Sequence, residues 1–383
     1  MPSYDAFLLL SFGGPEGPDD VLPFLENVTR GRGVPAQRLA EVAEHYYAAG
    51  GVSPINAQCR EMLTRIAEAF GQAGIDLPLY WGNRNWDPFL ADTVRQMKAD
   101  GVRRVIAFAT SAYSSYSACR QYLDDIDRAV AVVQAEGAGD GAPRIDKIRP
   151  YYARAGFIGP FAASVESALA ELPAGARDGA RLVFTAHSVP LGMAASSGSV
   201  SAGTAVPGAV GPAVAGTGAG GRYAAELLAA SRMITERVRG ATHPFDLVFQ
   251  SRSGPPSVPW LEPDVNDHLA ALAKGTRVNG DPLPEGAPPG VVVVPVGFVS
   301  DHMEVVHDLD VEAAQTAASL GLPFARAKAP GLTPEFAVMV AELVAERIAG
   351  ADSPDEASAN EDSTGGCPAD CCRYAPSRPG RAG

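Results

Sequence analysis

Residues 291–317 read VVVVPVGFVSDHMEVVHDLDVEAAQTA, and the build of the whole chain turns on this stretch. It opens on a β-branched apolar run, the pattern of a strand buried on both faces of a parallel sheet. After Ser300-Asp301-His302-Met303-Glu304 the pattern becomes helical. Glu304, Asp308 and Glu312 fall at i, i+4 and i+8, so a regular helix lines them along one face. Three stacked acids repel, by about a few tenths of a kcal/mol per exposed pair and more when buried. A solvated face is the commoner reason for such a row, and a cation site is the other. Two features favour the cation. Asp301, His302 and Glu304 sit at the C-terminal end of a buried strand, where open α/β sheets place their sites. His307 and Asp310 add further hard ligands to the same segment.

Outward from this stretch, strand and helix alternate with no hairpin signal. Residues 6–12, 79–82 and 105–109 read as strands in the first half, and 148–152, 182–185 and 246–250 in the second. Helical patterns cover 18–28, 37–49, 53–74, 89–100, 122–134, 153–172, 223–239, 265–273 and 333–348. The expected fold class is α/β: two Rossmann-like domains, each a parallel sheet flanked by helices, with a cleft between them. The first domain is expected at 1–142 plus a returning 332–350, the second at 143–331, with a linker and cysteine-containing tail at 351–383. The segment 191–221 has no charge between Leu191 and Gly221 and is too rich in Gly and Pro for a helix. It reads as a flexible insertion, either a lid or padding, and its simple composition favours padding.

The totals exclude several classes. A length of 383 residues suits two domains better than one. Hydrophobic residues at 46% and charged ones at 20% fit a soluble globular chain. A formal net charge of -13 disfavours a nucleic-acid partner, and no basic run opposes that. The first fourteen residues lack a basic n-region, and no apolar run of about 18 residues exists, so neither an export signal nor a membrane span is expected. Five cysteines without an export signal point to the reducing cytoplasm, where clustered cysteines bind metal more often than they pair. No long amphipathic segment is left over, so a monomer is expected.

Polar loops follow the strands. Gly13-Gly14-Pro15 lacks the spacing of a phosphate loop and instead lets backbone or a flat ligand approach closely. Ser-Phe-Gly-Gly-Pro (11–15), Gly-Gly-Val-Ser-Pro-Ile (50–55), the tyrosine-rich 113–122, Ala-His-Ser-Val-Pro (186–190), Phe-Gln-Ser-Arg-Ser-Gly-Pro (249–255), Trp260-Leu261 and Val-Ser-Asp-His-Met-Glu (299–304) follow in order. Together they resemble the ferrochelatases, and within them the coproporphyrin III type of GC-rich Gram-positive bacteria that carries a [2Fe-2S] cluster. The match covers nearly the whole chain except 191–221 and 351–383, where only the cysteines correspond.

The resemblance implies insertion of Fe(II), as substrate, into a porphyrin held in the cleft. Metallation removes two pyrrole protons and admits a dehydrated cation from one face. An imidazole can accept a proton or ligate iron, and carboxylates can relay a cation. His187 and Glu304 match the family's catalytic and metal-binding inner pair; Asp308 and Glu312 match its outer acidic track. Alone, His187 would be read as a satisfied core histidine. Asp301 and His302 read as supporting residues, His307 as a surface residue off the acidic face, and His45, His243 and His268 as structural or exposed.

Phe12, Arg30, Arg32, Ser53 and Tyr116 stand where the family contacts its porphyrin, the cationic and hydroxyl groups suiting the four propionates of coproporphyrin. The segment TRGRGVPA at 29–36 is not an apolar, membrane-touching lip, which favours coproporphyrin III over protoporphyrin IX. Two positions depart from the pattern. Phe12 stands where many coproporphyrin-type members have Tyr, and His45 where some have Arg. Cys119 and the tail cysteines Cys367, Cys371 and Cys372 match the four ligands of the cluster-bearing members. The backbone must turn at Cys371-Cys372 for both to ligate, and Cys59 reads as a buried apolar residue. The resemblance also brings in transient contact with neighbouring haem-pathway enzymes. A protoporphyrin IX ferrochelatase, a cobalt or sirohydrochlorin chelatase, and a non-enzymatic haem or iron binder stand as alternatives.

Overall fold

The computed structural model describes residues 4–31, 33–137, 141–198, 221–240, 242–254, 257–350 and 371–374. Its frame is two four-stranded sheets of the same order, every pairing parallel. The first comprises β1 (Ala6–Ser11), β2 (Leu79–Asn83), β3 (Arg104–Ala109) and β4 (Arg144–Lys147), in the order β2-β1-β3-β4. The second comprises β5 (Arg181–His187), β6 (Phe245–Gln250), β7 (Val291–Val294) and β8 (Phe324–Arg326), in the order β6-β5-β7-β8. β1 and β5 are central and buried almost throughout, as the helices on each side require.

Helices α1 (Pro18–Val28), α2 (Ala36–Ala48) and α3 (Ile55–Ala73) follow β1; α4 (Leu90–Ala99) follows β2; α5 (Gln121–Ala135) follows β3. In the second half α6 (Ala155–Glu171) and the short α7 (Ala174–Arg177) lead into β5, and α8 (Leu191–Ala195) and α9 (Arg222–Arg237) leave it. α10 (Val265–Leu272) follows β6. The segment after β7 runs as α11 (Met303–Val305), a π-helical stretch Val306–Ala313, and α12 (Ala314–Ser319). α13 (Pro334–Ala349) is the last helix among the described residues.

One core spans both halves. Phe7, Leu9 and Phe108 of the first sheet and Phe184, Val292 and Val294 of the second belong to a single buried cluster. α13 wedges into it through Phe336, Met339 and Val340. It packs against α3 and α6 together, and not against the first half alone. A Cβ on Gly156 would lie 2.5 Å from Cβ of Met339 and 2.6 Å from the carbonyl of Glu335, so glycine is what lets α6 and α13 approach. The alternate residues of each sheet, Leu8 and Leu10 in one and Val183 and Val293 in the other, build separate outer cores.

Two sequence expectations are corrected. The strand expected at 148–152 is instead Arg144–Lys147; it pairs with β3, so the first sheet extends past residue 142. The apolar Ile148, Tyr151 and Tyr152 are buried in the shared core as irregular chain, which a burial pattern alone cannot tell from a strand. Within 191–221, Leu191–Ala195 is helical and Ala194 and Ser197 are buried. Residues 199–220 lie outside the described ones.

Candidate functional site

In each sheet the chain begins at the central strand, adds a neighbour on one side and crosses back to the other. Ligands in such sheets collect where the order reverses, beyond the carboxyl end of the central strand. The two ends are Ser11-Phe12-Gly13-Gly14 after β1 and His187-Ser188 at β5. They differ in kind. Gly13 has φ +81°, and a Cβ there would lie 2.9 Å from Cβ of Asn83; one on Gly14 would lie 2.7 Å from Cβ of Ser53. The glycines therefore serve close packing of the protein's own chain. Phe12 stands above them, half-buried, edge-on to Phe24 and under the guanidinium of Arg84 at 5.6 Å. Arg84 is held by a buried ion pair with Asp125.

His187 ends β5 with its ring partly open. Nδ1 is in short contact with the carbonyl of Ser188. A carbonyl only accepts, so the neutral ring carries its proton on Nδ1 and presents a lone pair at Nε2. Nε2 faces Oε1 of Glu304 at 3.7 Å. The loop beneath is braced: the buried Ser188 hydroxyl donates to the carbonyl of Leu261 at 2.8 Å, and Tyr223 donates its hydroxyl to the carbonyl of His187 at 3.0 Å.

Glu304 opens the helix after β7. Its backbone N–H donates to Nδ1 of His302 at 3.2 Å. His302 is held below its usual basicity, chiefly by burial, so this lone pair stays available for the cap. The expected single face of a regular helix is corrected here. Val306–Ala313 is π-helical, so residues five apart share a face. His307 consequently joins the acids: its Nε2 lies 3.3 Å from Oε1 of Glu312, without an aligned hydrogen bond. Ligand atoms of His307, Asp308 and Glu312 all fall within 4.8 Å of one another.

Asp308 feels the charges of both Glu304 and Glu312. Ser251, at φ +60°, donates its hydroxyl to Asp308, and Nε2 of Gln250 reaches Oδ2 of Asp308 at 3.3 Å and the carbonyl of Glu304 at 3.0 Å. Burial pushes the Asp308 carboxyl up to about 7, the Glu304 and Glu312 charges add to it, and the Ser251 hydrogen bond opposes it. The first half covers this track with α2. Tyr46, half-buried, has its hydroxyl raised by burial and then by the charges of Glu304 and Asp308. His45 stacks on His307 at 3.8 Å between ring centroids and 18° between planes. His45 is therefore part of the lip, whereas His243 and His268 are structural, bonded to Ala180 and Asp246.

Of the other sequence candidates, Ser53 is buried against Gly14, Arg30 is exposed in the turn after α1, and Arg32 lies outside the described residues. Tyr116 begins a π-helical turn, Tyr116–Arg120, that carries the buried Cys119, and its ring lies 6.3 Å from that of Tyr374. Cys371 and Cys372 are buried, with Cys372 at φ +56° and their sulfurs 3.7 Å apart. Cys367 lies outside the described residues. Cys59 is fully buried in α3, its thiol pushed up to about 11 by burial. Sequence reasoning left Tyr46, Tyr223, Gln250, Ser251 and His307 without roles. For Gln250 and Ser251 a signal existed, since they lie in the Phe-Gln-Ser-Arg-Ser motif at the end of a strand.

Two like parallel sheets, with an imidazole at one reversal point and a row of hard ligands leading away from it, define an α/β protein with a candidate metal-handling site. The ferrochelatase family model matches residues 4–348, and the chain belongs to that family. It is 48% identical to a coproporphyrin III ferrochelatase of Streptomyces coelicolor, over 99% of this chain and 96% of that one. It is 50% identical to a coproporphyrin III ferrochelatase of Nocardia farcinica, over 90% and 89%, and 45% identical to a ferrochelatase of Rhodopirellula baltica, over 100% and 97%. Among the described residues no helix is long and apolar enough to cross a membrane.

Proposed function

We propose that this ferrochelatase inserts Fe(II) into coproporphyrin III, giving coprohaem and two protons. The observation that carries the reading is the 3.7 Å approach of His187 Nε2 to Glu304, with the graded ligands Asp308, His307 and Glu312 behind them. A porphyrin in the cleft presents its pyrrole N–H groups to the Nε2 lone pair, and His187 with Glu304 takes up the protons as iron arrives. The iron comes along the π-helical face from Glu312 through Asp308. Coproporphyrin is preferred because the relatives at 48–50% identity bear that name. Arg30, Arg32 and Tyr116 suit its four propionates, with Phe12 as the apolar wall.

The cysteine corner suits a [2Fe-2S] cluster. Two thiolates on one tetrahedral metal with bonds of ~2.3 Å sit ~3.8 Å apart, against 3.7 Å between the sulfurs of Cys371 and Cys372. The turn that this spacing demands is present at Cys372. Cys119 and Cys367 complete the proposed ligand set. A bound cluster would supply a one-electron centre whose potential follows the hydrogen bonds to its sulfurs, and the N–H of Gly198 donates one to Cys372 Sγ at 3.2 Å. The reading includes a monomeric cytoplasmic enzyme in transient contact with its pathway neighbours, and rests there on the cysteine content and the absence of an unexplained amphipathic segment.

Fe(II) added to the pure protein should quench coproporphyrin III fluorescence at least tenfold faster than that of protoporphyrin IX. Equal rates, or a preference for protoporphyrin, would sink the substrate assignment. Anaerobic preparations should be brown, with the colour lost in Cys119→Ser; a colourless full-length preparation removes the cluster.

A further inference from the structure

The cysteine corner and the catalytic histidine meet at the first turn of α9. On one side, Cys372 and Gly198 exchange hydrogen bonds, the Gly198 N–H to Sγ at 3.2 Å and the Cys372 N–H to the Gly198 carbonyl at 3.1 Å. Gly198 has φ +94°, and a Cβ there would strike Cδ of Arg222 at 2.5 Å, so the residue that holds the tail packs directly on α9. Ser197, buried, is the next link. Its hydroxyl donates to the Ala194 carbonyl at 2.6 Å and accepts the N–H of Tyr223 at 2.9 Å, while its carbonyl accepts the N–H of Arg222 at 3.3 Å. On the other side, the Tyr223 hydroxyl donates to the carbonyl of His187 at 3.0 Å. One turn on, the buried Glu226 accepts from the N–H and hydroxyl of Ser114, at 2.7 and 2.8 Å, anchoring the same helix to the loop that leads to Cys119.

We infer that Tyr223 is a positioning residue for His187, and that through Ser197 and Gly198 it makes the histidine's placement depend on the state of the cysteine corner. The inference rests on the reading of His187 as proton acceptor. The links are hydrogen bonds of 2.6–3.3 Å and the Ser197–Gly198 peptide bond, all between buried or half-buried residues, so a shift of the tail is not readily absorbed by solvent. The carbonyl held by Tyr223 belongs to the residue whose ring does the chemistry. Displacement by a fraction of an ångström there changes the attack geometry, and a misplacement of about 1 Å can cost about a hundredfold in rate.

Tyr223→Phe removes only the hydroxyl and keeps the buried ring. It should lower kcat about five- to tenfold, the scale of one lost hydrogen bond, while KM for coproporphyrin III stays within twofold. Turnover by the unmutated chain together with an unaltered Tyr223→Phe kcat overturns the inference and leaves the activity reading intact. Ser197→Ala should lower kcat about threefold alone and not at all in the Tyr223→Phe background; additive losses break the link. In the anaerobic full-length protein, metal-free coproporphyrin III should shift the electron paramagnetic resonance signal of the reduced cluster. That shift should vanish in Tyr223→Phe, and its persistence there overturns the coupling. A preparation without any cluster signal counts against the cofactor reading, and the two-residue cycle then decides the coupling.

Discussion

The two sheets share strand order, direction and a common core, yet their reversal points do opposite things. After β1 the chain turns through glycines whose missing side chains are filled by Asn83 and Ser53, leaving a closed wall faced by Phe12. At β5 the same topological position holds His187, partly open and aimed at Glu304. One architecture thus supplies two equivalent places, and side chains alone decide which performs chemistry. On the proposed reading the wall is a matter of stability and shape, the histidine a matter of rate.

His187→Ala breaks the comparison most severely. Removing the proton acceptor should lower kcat by about a hundred- to ten-thousandfold, with porphyrin binding by fluorescence quenching within threefold of the unmutated protein. Retained turnover would place the acceptor elsewhere. Gly14→Ala tests the other side. Its Cβ would overlap Ser53 and Ile55, so it should cost about 1–3 kcal/mol of stability in denaturant titration, with kcat per folded molecule little changed. A loss of kcat at unchanged stability would make the first reversal point chemical as well.

Asp308→Asn sharpens the account of the acidic track by the smallest effect. A carboxyl whose pKa is raised by folding holds its proton more tightly folded than unfolded, so ionising it costs the folded state. For Asp308 that cost starts near the ordinary value of 3.8, grows as pH rises, and is complete above about 7. The variant should therefore melt about 2–5 °C higher than the unmutated protein at pH 8, and the gain should shrink toward pH 5. A gain that grows on acidification would contradict burial as the cause.

Much of this is legible in the sequence. The β-branched run at 291–294, the glycine stop after 11–12 and the strand-then-polar-loop pattern at 182–190 placed both reversal points, because burial on two faces leaves an unmistakable sequence trace. The shape of the acidic track was not legible. A π-helical segment uses the same residue types as an α-helix, and its one-residue shift decides whether His307 faces Glu312 or solvent. Contacts across the cleft, such as His45 on His307 or Tyr46 near Glu304, join residues some 260 positions apart and leave no local pattern. Ile148 and Tyr152 misled for the reverse reason: they are buried, as a strand's residues would be, but lie just past the strand Arg144–Lys147.

The central claim is that the carboxylates of one segment have unequal work, Glu304 in the chemistry with His187 and Glu312 in metal supply. Steady-state kinetics of Glu304→Gln and Glu312→Gln, with iron varied at saturating coproporphyrin III, test it directly. Glu304→Gln should lower kcat at least a hundredfold; Glu312→Gln should raise KM for iron about tenfold and leave kcat within twofold. Equal effects of the two substitutions, or a kcat loss confined to Glu312→Gln, would contradict it.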